Sequence, residues 1–212
     1  MKIPVLVLLV SVITFSCNNK KENGSVIEKT PARTTDTINP IKQDVSINAY
    51  APVDISPMDM CYFPADYPIL KMSNKTTAPP VARVVYSRPH LQGRTLFKDI
   101  LKYGEPWRLG ANEATEIDLY TDATIQGKKI KAGRYVLYCI PEQDKWTIVL
   151  NSNIDSWGLH PDASKDIARF VIPSTQTQNT IEFFTIIFQK TATGADLLMA
   201  WDNVEARLPV SF

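Results

Sequence analysis

"QGKKIKAGRYVLYCIPEQDKWTIVLN", Gln126 to Asn151, decides the fold. Its first four residues set a glycine among polar neighbours, the chemistry of a hairpin tip, and "KAGRY" from Lys131 to Tyr135 is a second turn feeding a strand. Two runs dense in aromatic and β-branched residues follow, "GRYVLYCI" and "WTIVLN", parted by a short polar segment. Such runs between turns predict antiparallel strands. The same pattern extends outward: "VARVVYS" and "TEIDLYT" precede it, and "ARFVIP", "IEFFTIIF", "DLLMAW" and "VEARLPV" follow. One segment reads as a helix, Thr95 to Gly104, where Leu96, Ile100 and Tyr103 share a face and Gly104 supplies a stop. No alternation of strand and helix accompanies it. The expectation is all-β: a single antiparallel β-sandwich over residues 81–212, jelly-roll-like or an open barrel, with one short helix.

Upstream, residues 50–80 carry prolines at 52, 57, 64, 68, 79 and 80 among Tyr62, Phe63, Tyr67, Ile69 and Leu70. Proline disfavours a helix interior or a central strand, while the apolar groups gain by burial. The reading is an extended, Pro-rich strap lying across the domain.

The N-terminal residues speak to compartment. Lys2 precedes an apolar run from Ile3 to Phe15, then Ser16 and Cys17. The run falls short of the about 20 residues a membrane-spanning helix needs, so residues 1–16 read as a signal peptide. A cysteine after a small residue resembles a lipobox, and Cys17 is expected to carry the lipid. Residues 17–49, polar and without an aromatic until Tyr50, read as a flexible tether. The early "KKE" resembles the charged signals that send some lipoproteins to the cell surface. The expected location is the cell envelope, on the periplasmic or surface face of the outer membrane.

Charge adds an exclusion. The chain of 212 residues has 23 basic and 22 acidic side chains, and removal of Lys2 with the signal leaves 22 of each. A balanced chain has no long-range field to draw it to nucleic acid, which is not expected as a partner.

Site candidates cluster in "YGEPWRLGANEATEIDLY", Tyr103 to Tyr120. If the strand is regular back to Ala111, Glu113 shares a face with Thr115, Ile117 and Leu119 and points inward, where a carboxylate needs a cation. Arg108 and Arg94 are the nearest in sequence. One reading is a polar pocket floored by Glu113, with Arg88, His90, Arg94, Arg108 and Asn112 around it and Trp107 as a stacking wall. The other, favoured, is a buried Arg–Glu clamp with Trp107 in the core. A bulge near Gly110 would break the parity and dissolve both.

Other chemistry is thin. Met58, Met60, Cys61 and Met72 are soft donors of the kind cuprous copper takes, but methionine commonly fills core gaps, and no metal or cofactor is expected. Cys61 and Cys139 read either as a disulfide stapling the strap to a strand or as two buried thiols. "SWGLH", Ser156 to His160, reads as a turn with a packed Trp157 rather than part of a triad.

The combination of "YSRPHLQGRTLF", "YGEPWRLGANEATEI", "GKKIKAGRYVLYCIP", "WTIVLN" and the late "AWD" resembles the bacterial exported and lipoprotein family called domain of unknown function 2911, from about Ser56 onward. The strap resembles its longer, membrane-anchored members. The resemblance implies one β-rich exported domain and brings no activity with it; Cys61 stands where a small residue is expected. The reading is therefore an envelope lipoprotein that binds a ligand or partner: a small molecule, a glycan or another envelope protein. An envelope hydrolase using Glu113 with Arg108 and His90 is the alternative.

Overall fold

The computed structural model describes residues 54–212. The segments read as signal peptide and tether, the expected lipidation site Cys17 and the first residues of the strap lie outside them.

Nine strands form one antiparallel sheet: β1 (Met58–Phe63), β2 (Ala82–Ser87), β3 (Thr115–Leu119), β4 (Ala123–Ile125), β5 (Lys128–Ile130), β6 (Gly133–Pro141), β7 (Lys145–Asn151), β8 (Asp166–Lys190) and β9 (Gly194–Ser211). Their order is β1-β2-β3-β6-β7-β8-β9-β4-β5. The all-β expectation holds, but the two layers belong to a single open sheet that folds over on itself. The two long strands make this possible. β8 pairs with β7 as far as Pro173 and with β9 from Ser174 onward. A proline has no N–H for a ladder and suits the point where one pairing ends.

Further along, β8 advances nine residues from Gln176 to Thr185 while β9 covers four, from Val204 to Ala200. The surplus is bulged, which bends the strand sharply. β9 turns a corner at Asp202, whose φ is +55°, and its two ends come together. A Cβ on Gly194 would lie 2.9 Å from the Ser211 Cα and against the Val210 carbonyl, so only glycine fits.

The strap divides into three parts. β1 pairs with β2 along its whole length as an edge strand, Met58 opposite Ser87 through Phe63 opposite Ala82. A helix, α1 (Tyr67–Met72), follows, contrary to the expectation that prolines would forbid one. Pro68 stands in its first turn, where the missing N–H has no helical partner to lose. The remainder runs irregularly into β2. The helix expected over Thr95–Gly104 is a five-residue π-turn, Leu96–Ile100; Tyr103 leaves its face and stacks on Phe97 at 4.2 Å.

The core fills with inward residues of both layers. Trp146, Trp201, Phe184 and Trp107 form its aromatic centre. Trp107 meets Phe184 at 4.8 Å, Trp201 at 5.7 Å and Trp146 edge-on at 6.0 Å. Each such pair adds about 0.5–1.5 kcal/mol beyond the area it buries.

Candidate functional site

The segment from Trp107 to Thr115 is an excursion from the sheet. Trp107 exchanges backbone hydrogen bonds with Cys139 on β6, at 2.7 and 2.8 Å, and Thr115 pairs with Leu137 on the same strand. Between them the chain loops out through two left-handed residues, Leu109 (φ +53°) and Asn112 (φ +62°). The Thr115 hydroxyl donates to the Leu109 carbonyl at 2.6 Å and the Trp107 indole N–H to that of Gly110 at 3.2 Å, which fixes the loop from inside.

This loop overturns the expected place of Glu113. The strand begins at Thr115, so alternation does not run back to residue 113, and Glu113 is exposed with no ion pair among the described residues. From Thr115 onward the alternation is as read: Thr115, Ile117 and Leu119 are buried. Among the described residues there is no buried clamp, and Glu113 lines an open cleft with Asn112 rather than flooring a pocket that holds Arg94, Trp107 and Arg108.

Two concavities flank the loop instead. One is a groove of about 390 Å³ whose walls include Arg94, Ile100, Leu101, Trp107, Arg108 and Leu159, with Gly110, Ala111 and Trp201 also reaching it. The other is a cleft of about 540 Å³ between Asn112, Glu113, Asp155, Ser156 and Trp157. Every residue from Trp107 to Glu113 except the buried Leu109 lines one or the other.

Arg108 is the partition. Its Nη1 donates to the carbonyls of Asn112 at 2.7 Å and Trp157 at 3.2 Å, tying the 107–115 loop to the 152–160 loop. Partial burial lowers its pKa from the ordinary value. Gly158 (φ +79°) makes the approach possible: a Cβ there would meet the Ala114 Cβ at 2.9 Å and the Arg108 Cβ at 3.1 Å. Trp157, expected to be packed, is instead 69 % exposed, and it is the half-buried glycine beside it that approaches Ala114.

The other candidates serve the frame. Arg88 donates to the Phe184 carbonyl at 3.1 Å, to Thr185 Oγ1 at 3.1 Å and to Asp59 at 3.2 Å, which sews β1 to the bent part of β8. His90 stacks on Phe183 at 4.9 Å and lies 3.7 Å from Glu182. Trp107 is core, with an edge on the groove. Arg94, at the groove wall, donates to the carbonyls of Leu91 (2.8 Å) and His90 (2.9 Å). Glu113, Arg108 and His90 therefore do not meet in one cavity. Among the groove residues the sequence did not suggest are Ser56, Ile100, Leu101, Gly158 and Leu159; the one hint was the turn-forming Trp-Gly step at 157–158.

The soft donors and the cysteines are also apart. Met58 Sδ accepts from Ser87 Oγ at 2.9 Å and Met60 Sδ from the Tyr62 hydroxyl at 3.0 Å. Cys61 points to the opposite face of β1, and Met72 is exposed on α1. Among the described residues no group of three or more His, Cys, Asp or Glu side chains is placed to hold a metal ion. The disulfide reading fails: both thiols are free, and β2 and β3 lie between their strands. Three inter-strand steps span about 14 Å, twice what a disulfide bridges. Burial pushes the Cys61 thiol up to about 12 and that of Cys139 well above its ordinary value.

The fold and its groove define a class: an all-β domain made of one folded sheet, with an open concavity beside a looped-out strand entrance. The chain belongs to the family described as Protein of unknown function (DUF2911), which it matches over residues 70–210. No curated protein and no solved structure matches it.

Proposed function

We propose that this chain is an exported, lipid-anchored protein of the cell envelope whose domain binds a small molecule in the groove beside Trp107 and Arg108. The observation that carries the binding reading is the placement of the Trp107–Glu113 run. Leu109 and most of Trp107 serve the core, while Arg108, Ala111, Asn112 and Glu113, with an edge of Trp107, face two surface concavities. Binding residues are disproportionately found on loops held by a rigid scaffold, and this loop is held at both ends by β6. The groove volume of about 390 Å³ lies in the range of small-molecule sites. The anchor reading rests on the apolar run that ends at Cys17.

One experiment tests both parts. The protein is extracted from membranes in mild detergent and examined by native mass spectrometry. The expected result is an acyl mass on Cys17 and a non-covalent small-molecule adduct that disappears in an Ala111→Trp variant, which fills the groove. A chain without the acyl mass overturns the anchor. The absence of an adduct, or one indifferent to Ala111→Trp, overturns the binding site.

A further inference from the structure

The described residues contain arginines at 83, 88, 94, 108, 134, 169 and 207. Five of them meet a carboxylate: Arg83 and Arg134 share Asp118, Arg88 meets Asp59, Arg169 meets Asp166, and Arg207 meets Glu205. Arg94 and Arg108 have no carboxylate within ion-pair distance among the described residues, and these are the two that line the groove. No acidic side chain lines it with them.

Both guanidinium groups are nonetheless held in place. Each bonds two backbone carbonyls, which fix its orientation and leave its charge uncompensated. A guanidinium has five N–H donors. Arg108 uses Nη1 on its two carbonyls and keeps Nε and Nη2 without a protein partner; Arg94 uses one N–H each of Nε and Nη2 and keeps Nη1. Two oriented, unneutralised forks are suited to an oxyanion, which accepts paired N–H donors. Apart from Ser56, the remaining side chains of the wall are apolar, among them Ile100, Leu101, Leu159 and the edge of Trp107.

Resting on the binding reading above, we propose that the ligand is a small organic anion, an oxyanion group joined to an apolar body. Arg94 and Arg108 hold the charge, and the body lies along Ile100, Leu101 and Leu159. The adjoining cleft, with Glu113 and Asp155 on its wall, repels the same charge and sets the ligand's direction in the groove.

The test uses the full chain carrying Cys17→Ser, so that neither acyl chain nor detergent competes for the probe. Two fluorescent probes share one ring system: 8-anilinonaphthalene-1-sulfonate, an anion, and N-phenyl-1-naphthylamine, which is neutral. The expected result is saturable binding of the sulfonate, at least tenfold tighter than that of the amine. Arg94→Gln and Arg108→Gln should each weaken it about tenfold, the loss of one charge-assisted contact. Arg108→Lys should retain part of the affinity, and Arg207→Gln, whose partner is Glu205, all of it. Displacement of the sulfonate by 2-naphthoate or by 2-naphthyl phosphate supports the proposal and tells carboxylate from phosphate; displacement by neither overturns it. Equal affinity for the two probes, unchanged by the arginine variants but lost in Ala111→Trp, overturns the anion and leaves the groove as a binding site. Binding of neither probe, or binding indifferent to every groove variant, overturns both.

Discussion

Trp107 and Thr115 occupy neighbouring same-face positions along β6, opposite Cys139 and Leu137, although seven residues separate them in the chain. Those seven residues are the loop that makes the groove. The sheet thus supplies two fixed posts, and the distance between them, not the loop's own propensity, sets the shape of the concavity. The close packing of this loop on the 152–160 loop is where it is most sensitive.

Gly158→Ala should destabilise the protein by about 2–4 kcal/mol, the sum of a left-handed conformation and overpacking against Ala114. Gly104 has a similar φ of +80° but open space around it. Gly104→Ala should cost only the conformational part, about 1–2 kcal/mol. Urea denaturation of the two variants beside the parent gives the comparison; equal losses would show that the two loops do not press together.

Charge on the outer face follows a different rule from the one parity suggested. Glu113→Gln should change stability by less than about 0.5 kcal/mol, as for other exposed changes. Asp118, 15 % exposed, accepts from Arg83 at 2.6 Å and from Arg134 at 3.0 Å. Asp118→Asn weakens both bonds and should cost about 1.5–3 kcal/mol. A larger loss at 113 than at 118, in chemical denaturation, would restore the buried clamp.

The alternation read from "TEIDLYT" was right from Thr115 onward and failed before it, for a physical reason. Strand periodicity is visible in sequence because it acts between adjacent residues, whereas the left-handed φ of Leu109 is imposed by its surroundings; Asn112, a residue that tolerates that conformation, was the one local sign. The same limit split β8 and β9. "TQTQNT", Thr175 to Thr180, looks like a turn, yet it forms a bulged span within one strand. At Pro68 the error ran the other way, since proline's veto on helices does not reach the first turn. Arg94, Trp107 and Arg108 were legible as a group. Leu159 and Gly158 were not, because they arrive from some fifty residues downstream, and the Trp-Gly step marks a turn without marking where it docks.

Cys61 and Cys139 should behave as two inert thiols. Intact mass and thermal midpoint should be the same with and without reductant. Iodoacetamide at pH 8 should label neither in the native protein and both in urea, since burial raises both pKa values and suppresses the reactive thiolate. A change in midpoint on reduction would require the two strands to be nearer than the sheet order places them.

Alkaline pH should unfold the protein through its buried phenols. The Tyr86 hydroxyl donates to the Ile186 carbonyl at 3.2 Å and accepts the Ile186 N–H at 3.0 Å, which joins the two layers. Burial pushes its pKa from 10.0 to about 12, and that of Tyr138 likewise. A raised folded-state value means that the folded protein holds the proton more tightly than the unfolded chain. The stabilisation is therefore complete below pH 10 and lost as pH rises toward 12. Urea midpoints between pH 8 and 12 should show this fall. Tyr86→Phe should flatten part of it while lowering stability at pH 8 by about 1–3 kcal/mol, because the Ile186 backbone groups lose their partner. A wild-type curve as flat as the variant's would remove Tyr86 from the account.

The corner in β9 bears on the order in which the fold can be finished. Phe212 stacks on Phe63 of β1 at 5.2 Å, and Ser211 pairs with Thr124 of β4. Segments near residues 63 and 124 thus depend on residues about ninety to one hundred and fifty positions downstream. A chain delivered N-terminus first, from a ribosome or through a narrow pore, cannot close this domain while residues 211 and 212 are still to come. Until then Phe63 on β1 lacks the Phe212 ring and β4 lacks its pairing with Ser211.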